Sequence, residues 1–258
     1  MRFLLLALLT LLLPVLPGCG KRWGDLERLD TSTPRLDTRE LDTAAALLAN
    51  VERLNTYDSY EDGRQTTQLA RTVIPWDMET RTWRNYESDG SYVELREIPG
   101  QGLAVTTAHN RSFDSWIVFD EPVLFAPSVM TLETAATTEG RFETWAKGWS
   151  HRRGSLTVVS RYTGIEDVTV PLGRVTDCAR VDATFDVKLP FGFNVTMNQR
   201  QWLHPEYGEV LRDIDGSFSF AGVGVSGFTR RYTLVSSTEL DPMTRQEMIS
   251  KSPAEVPK

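Results

Sequence analysis

Residues 179–189 alternate without a break. Ala179, Val181, Ala183, Phe185, Val187 and Leu189 hold the odd positions, and Arg180, Asp182, Thr184, Asp186 and Lys188 hold the even ones. Successive side chains of an extended chain leave opposite faces, so this spacing builds a strand with one apolar and one polar face. After Pro190-Phe191-Gly192, Phe193, Val195 and Met197 carry the pattern on, and 179–203 reads as a long hairpin. Phe218 and Phe220 alternate with Ser217 and Ser219, and Phe228, Tyr232 and Leu234 repeat the theme within 228–235. Strands of this kind assemble into an antiparallel sheet with one apolar and one wet side.

The β texture begins near Gln65. Short runs rich in Val, Thr, Phe, Tyr and Trp are separated by turn signals at Ser88-Asp89-Gly90, Pro99-Gly100, Gly164, Pro205-Glu206-Tyr207-Gly208 and Asp215-Gly216. Ahead of it, Asp37 stands three residues before Glu40 in the form of a reciprocal helix cap. Leu41, Ala44, Leu48 and Val51 then keep helical spacing to about Leu54. One helix over 38–54 is too short to cover roughly ten one-sided strands, so the sheet must curl on itself. The expected fold is mainly β: a curled antiparallel sheet, half-barrel or barrel-like, with one N-terminal amphipathic helix. A single β-rich domain would occupy 38–241, followed over 242–258 by a short helical turn from Asp241-Pro242 and a flexible tail.

The first twenty residues, MRFLLLALLTLLLPVLPGCG, carry a different signal. Arg2 precedes an apolar run of 11 residues, Phe3 to Leu13, interrupted only by Thr10, and a short segment then ends in small residues before a cysteine. Such a run falls short of the roughly 20 apolar residues that span a bilayer, and it fits an export signal over 1–18. Leu16-Pro17-Gly18-Cys19 resembles the lipobox of bacterial lipoproteins. The resemblance implies diacylglycerol transfer to the Cys19 thiol, cleavage before it and acylation of the new amino terminus. Residues 19–37 would then be a lipidated tether, and two or more acyl chains hold stably at about 0.8 kcal/mol per buried methylene. Residue 20 is Gly; in the enteric sorting rule an Asp there retains lipoproteins in the inner membrane. The resemblance therefore points to the outer membrane, facing the periplasm.

Loss of residues 1–18 removes Arg2 and no acid, taking the net charge from −7 to −8. That balance argues against nucleic acid and against a polybasic grip on anionic headgroups. With Cys19 lipidated, Cys178 remains alone and no internal disulfide can form, so stability must come from packing.

The segment from about 123 to 235 resembles an uncharacterised family of exported bacterial β domains. The residues that carry the likeness are Val170-Pro171-Leu172-Gly173 before the long strand, and Trp202-Leu203-His204-Pro205-Glu206-Tyr207-Gly208-Glu209-Val210 after it. A helix followed by a curled sheet is also similar to the half-barrel of the periplasmic lipoprotein carrier and its outer-membrane receptor lipoprotein. That likeness is architectural and implies an apolar concavity for acyl chains.

Candidate chemistry is sparse. Gly222-Val223-Gly224-Val225-Ser226-Gly227 fits G-x-G-x-x-G, but a dinucleotide site needs it between a strand and a helix. Here β patterning stands on both sides, so a glycine-rich turn or bend is expected. Ser226 misses the G-x-S-x-G nucleophile elbow by one position. His109, His151 and His204 show no ligand spacing, and Asp213-Ile214-Asp215-Gly216 lacks the later ligands of a calcium loop and reads as a hairpin turn. Cys178 reads as a half-buried structural thiol. Trp76, Trp83, Tyr86 and Tyr92 could stack on sugars but suit strand packing better. No catalytic residue, metal ligand or cofactor is assigned, and Cys19 is the one modification site.

The expectation is a non-enzymatic lipoprotein, anchored through Cys19, that binds an apolar ligand or an envelope protein partner, with Phe193 and Met197 on the concave face. A lipoprotein hydrolase acting on wall or lipid is the first alternative, and a structural or assembly-accessory subunit the second. A large apolar cavity favours the binder, a filled core the accessory subunit, and convergent polar groups in a cleft the hydrolase.

Overall fold

The computed structural model describes residues 31–32, 35, 40–49, 51–112, 114–132, 134–146 and 149–252. The export signal, Cys19, nearly all of the tether, the Asp37 cap and the tail from residue 253 lie outside the described residues.

Among the described residues, twelve strands run antiparallel to their neighbours in sequence. They are β1 (Arg53–Glu61), β2 (Arg64–Asp77), β3 (Thr82–Glu87), β4 (Tyr92–Ile98), β5 (Gly102–Asn110) and β6 (Ser115–Pro127), then β7 (Ala135–Ala146), β8 (Trp149–Val170), β9 (Gly173–Lys188), β10 (Phe193–His204), β11 (Gly208–Phe220) and β12 (Val223–Glu239). β1 pairs with β12, from Arg53 opposite Glu239 to Glu61 opposite Arg230, and the sheet closes into a barrel. Closure lets the sheet bury its own apolar side and leaves no edge strand.

The hairpin over 179–203 forms as its alternation requires. Val187 faces Val195 and Phe185 faces Met197 across the ladder, and these four side chains are buried in one core cluster. Thr184 and Lys188, on the other side of β9, are exposed. Only the start of the glycine-rich segment is a turn: β11 ends at Phe220, Ala221 and Gly222 turn with positive φ, and Val223–Gly227 open β12.

Several expectations need correction. The N-terminal helix spans Thr43–Leu48 only (α1), with Asp42 accepting a bond from Ala45 N at 2.8 Å. Val51 instead bridges to Val73, and Leu54 lies in β1, because a closed barrel draws in Arg53–Glu61 to satisfy the open edges of β2 and β12. The β region therefore starts ahead of Gln65.

Asp215-Gly216 is no turn but lies within β11, where Phe228 stands opposite the glycine. A Cβ on Gly216 would stand 2.0 Å from Phe228 Cζ, so the absent side chain is filled by its neighbour.

Gly164 also lies within a strand. Its φ of +127° marks a register slip in β8, and a second slip follows between Glu166 and Val168. Beyond these slips the tip of the β8–β9 hairpin packs onto β11 and β12. Val168, Val170, Val175 and Cys178 join one cluster with Trp202, and Leu172 N donates to Leu234 O at 3.1 Å. Glu166 is buried beneath this arm, accepting from Trp202 Nε1 at 2.8 Å and Arg180 Nη1 at 3.0 Å.

The helical turn after Asp241 is a full helix, Pro242–Lys251 (α2). Asp241 accepts from Met243 N and Thr244 N at 3.0 and 2.9 Å, and Met248 packs on Ile74, Tyr86 and Tyr92.

Candidate functional site

α1 stoppers one end of the barrel. Ala44, Leu47 and Leu48 pack with Val73, Trp83, Leu103 and Ala126, while Ala46 packs with Tyr162, Val181 and Leu203 across the lumen. Thr43 Oγ1 donates to Pro127 O and ties the helix to the end of β6. Behind Leu47 lies a cavity of about 200 Å³.

Its two sides differ in chemistry. Phe119, Phe125, Phe142, Leu156, Phe185 and Val187, from β6 to β9, form an apolar wall. The facing wall comes from β2, β3, β11 and β12 and presents Arg71, Asn85, Glu87, Arg212 and Arg230. These polar residues point inward because they stand in phase with apolar ones: Arg71 between Leu69 and Val73, Arg212 two before Ile214, Arg230 between Phe228 and Tyr232.

One carboxylate organises this wall. Glu209 Oε1 accepts from Arg71 Nη1 at 2.9 Å, and Oε2 accepts from Arg212 Nε at 2.7 Å, from Arg212 Nη2 and from Gln201 Nε2. Arg71 Nε also donates to Glu87 Oε1 at 3.0 Å, and its guanidinium lies 4.5 Å from the Tyr232 ring centre and 5.3 Å from that of Tyr57. Arg230 Nη2 donates to Glu61 Oε1 at 3.0 Å and Nη1 to Tyr232 Oη at 3.2 Å. Burial by itself would lower the Arg71 pKa, but Glu87 and Glu209 outweigh it and hold the group above its ordinary value. Burial, and next the charge of Glu209, push the Tyr57 hydroxyl up. It stays neutral and donates to Glu209 O at 2.9 Å. The cavity thus offers permanent guanidinium charge on one side and hydrocarbon on the other.

Of the residues singled out from the sequence, Tyr92 and His109 also line the cavity, and the others lie elsewhere. His109 is buried with its ring 4.4 Å from that of Trp116 and 5.4 Å from that of Tyr92; its Nε2 is 3.9 Å from Asp114 Oδ1. Burial drops its pKa to about 4, so the ring is neutral at pH 7. His204 Nδ1 accepts from Glu206 N at 3.1 Å within the β10–β11 turn, and its ring stacks on Tyr207. His151 falls in β8 with its side chain outside the described residues, and Ser226 sits opposite Phe218 in the ladder. Asp213 Oδ1 accepts from Arg231 Nε at 2.8 Å and Asp215 faces Asn198, so the two carboxylates are ladder residues. The Cys178 thiol is buried and pushed up to about 12 by that burial. Trp83, Tyr86 and Tyr92 are core residues, whereas Trp76 is 41% exposed with the Arg84 guanidinium 3.5 Å from its ring centre. Met197 stands opposite Phe185 in the core and Phe193 packs against Phe220, and neither lines the cavity. Among the described residues, no group of three His, Cys, Asp or Glu side chains is placed to hold a metal ion.

No family model and no curated protein matches the chain. Two solved structures are similar to it. One is a candidate lipoprotein from Parabacteroides distasonis ATCC 8503, at 14% identity and a TM-score of 0.43, covering 73% of this chain and 95% of its own. The other is a candidate exported protein with a YmcC-like fold from Bacteroides fragilis NCTC 9343, at 14% identity and a TM-score of 0.38, covering 73% of this chain and 96% of its own.

Proposed function

We propose that this chain is a lipid-anchored protein of the bacterial cell envelope that works by binding, not catalysis, and holds an apolar ligand inside its barrel. The cavity behind Leu47 carries the reading. Close-packed interiors leave few voids larger than a water, and a dry void of about 150 Å³ already takes up benzene. About eight strands make a barrel that side chains just fill. Twelve make a wider one, and α1 occupies only one end of it. Anchoring rests on Leu16-Pro17-Gly18-Cys19, and Gly20 favours the outer membrane. A second reading, contact with an envelope protein, draws on the exposed Phe220, Val223 and Val225 at the β11–β12 tip.

Native mass spectrometry of the protein purified from its own envelope tests both parts. The expected spectrum shows a covalent lipid on Cys19 and a second, dissociable apolar mass. Cys19→Ala should leave an unprocessed precursor without fatty acid. Labelled palmitate entering that variant would overturn the anchor, and a wild-type barrel that never carries a dissociable mass would overturn the ligand.

A further inference from the structure

We propose that the cavity takes a single-chain amphiphile with an anionic head, the head lying among Arg71, Arg212 and Arg230 and the chain along Phe119, Phe142 and Phe185. The proposal rests on the ligand-binding reading above and names the class of ligand.

The placement of charge carries it. Glu209 is buried and accepts four N–H donors, which is about all a carboxylate can take. Two guanidiniums share that single acid, and of the five donors Arg212 possesses, two go to it. The remaining acids of the wall stand toward water: the Glu87 side chain is 32% exposed and that of Glu61 27%. Neither Glu209 nor Glu61 lines the cavity, whereas Arg71 and Arg230 do and are almost wholly buried. Of the charged side chains that line the cavity, three are guanidiniums and one, Glu87, is a carboxylate. A cationic head would meet Glu87 alone and lie against three guanidiniums; a neutral head would gain hydrogen bonds but no charge. An anionic head gains charge-assisted bonds from planar guanidinium forks.

Size sets the chain. By the measure of benzene's six carbons in about 150 Å³, 200 Å³ holds about eight carbons, so a chain of about eight to ten carbons fills it with its head end at the arginines.

The test is calorimetric titration of the full-length protein at pH 8 with four ten-carbon probes below their micelle concentrations: decanoate, decyl phosphate, decanol and decyltrimethylammonium. The anionic probes should bind at least tenfold more tightly than decanol, with the cation weakest. Whichever anion binds more tightly assigns the head as carboxylate or phosphate, and either result supports the proposal. Equal affinity for decanoate, decyl phosphate and decanol would overturn it and leave the apolar-ligand reading standing. Binding of none of the four would overturn both. Arg212→Gln and Arg230→Gln should each weaken the anions tenfold or more without changing decanol, whose unchanged binding reports an intact cavity. If either variant loses its fold, the other decides. A folded variant that binds the anions as tightly as wild type overturns the head-group assignment.

Discussion

His109 is a base held neutral by burial, and that makes it a pH liability. An unfolded histidine titrates near 6.5, while in the barrel the ring's pKa falls to about 4. Between these values the unfolded chain binds more protons, so stability is full above pH 6.5 and is lost as the pH falls toward 4. The loss from this residue should reach about 2 kcal/mol at pH 5, above the range in which ordinary carboxylates titrate. Urea denaturation at pH 7.5 and pH 5 measures it: wild type should lose about 2 kcal/mol more than His109→Gln, and equal losses would refute the shift. Nothing in the sequence neighbours of His109 said that it was buried. The three cavity arginines were more legible than they looked. Each interrupts an apolar run at the inward phase, as Arg230 does between Phe228 and Tyr232. What could not be read was their convergence, because Arg71 and Arg212 are brought together only by closure of the barrel between β1 and β12.

At the level of strands, strict alternation was a reliable guide and isolated glycines were not. Phe185→Asp would place a charge in the core cluster and should cost several kcal/mol or abolish folding. Thr184→Ser, on the exposed side of the same strand, should stay within about 0.5 kcal/mol. Denaturant midpoints compare them directly, and equal tolerance would mean that β9 does not bury its odd residues. The outer side of the barrel has its own order. Arg161, Asp182, Arg200, Asp213 and Arg231 face one another in turn across β8 to β12, a row of alternating charge. Each such pair adds about 0.2–1 kcal/mol, and burial pushes the Asp213 carboxyl up against the lowering effect of Arg231 and Arg200. Gly164 and Gly216 misled because a glycine marks either a turn or a close approach, and only the partner tells which. At Gly216 the partner is Phe228, on the next strand. The helix was overestimated for a related reason: Val51 and Leu54 keep helical spacing, yet Val51 bridges to β2 and Leu54 pairs with β12.

At the scale of the molecule, closure decides what is protected. In an open curled sheet β1 and β12 would be edges, and their amides would exchange first; in the closed barrel they should be held as firmly as their neighbours. Native-state hydrogen exchange should find Tyr57 and Leu234 protected to the same order as Phe185 and Met197. Fast exchange confined to the β1–β12 seam would show an opened barrel. The expectation of a sheet that curls on itself was sound, because one short helix cannot cover it. Whether the circle would be completed depended on residues 53–61, of which 53 and 54 read as the end of a helix and the rest as neither helix nor strand. Closure also has a consequence in time. Every other seam of the barrel joins strands adjacent in sequence, but Arg53 finds Glu239 only after nearly the whole chain has been made. Bringing such distant residues together is entropically slow, and until then both margins of the sheet stand ready to pair with another chain. A chaperone or a membrane passage that delivers the last strand late would lengthen that interval, so the seam is where misassembly between copies should begin.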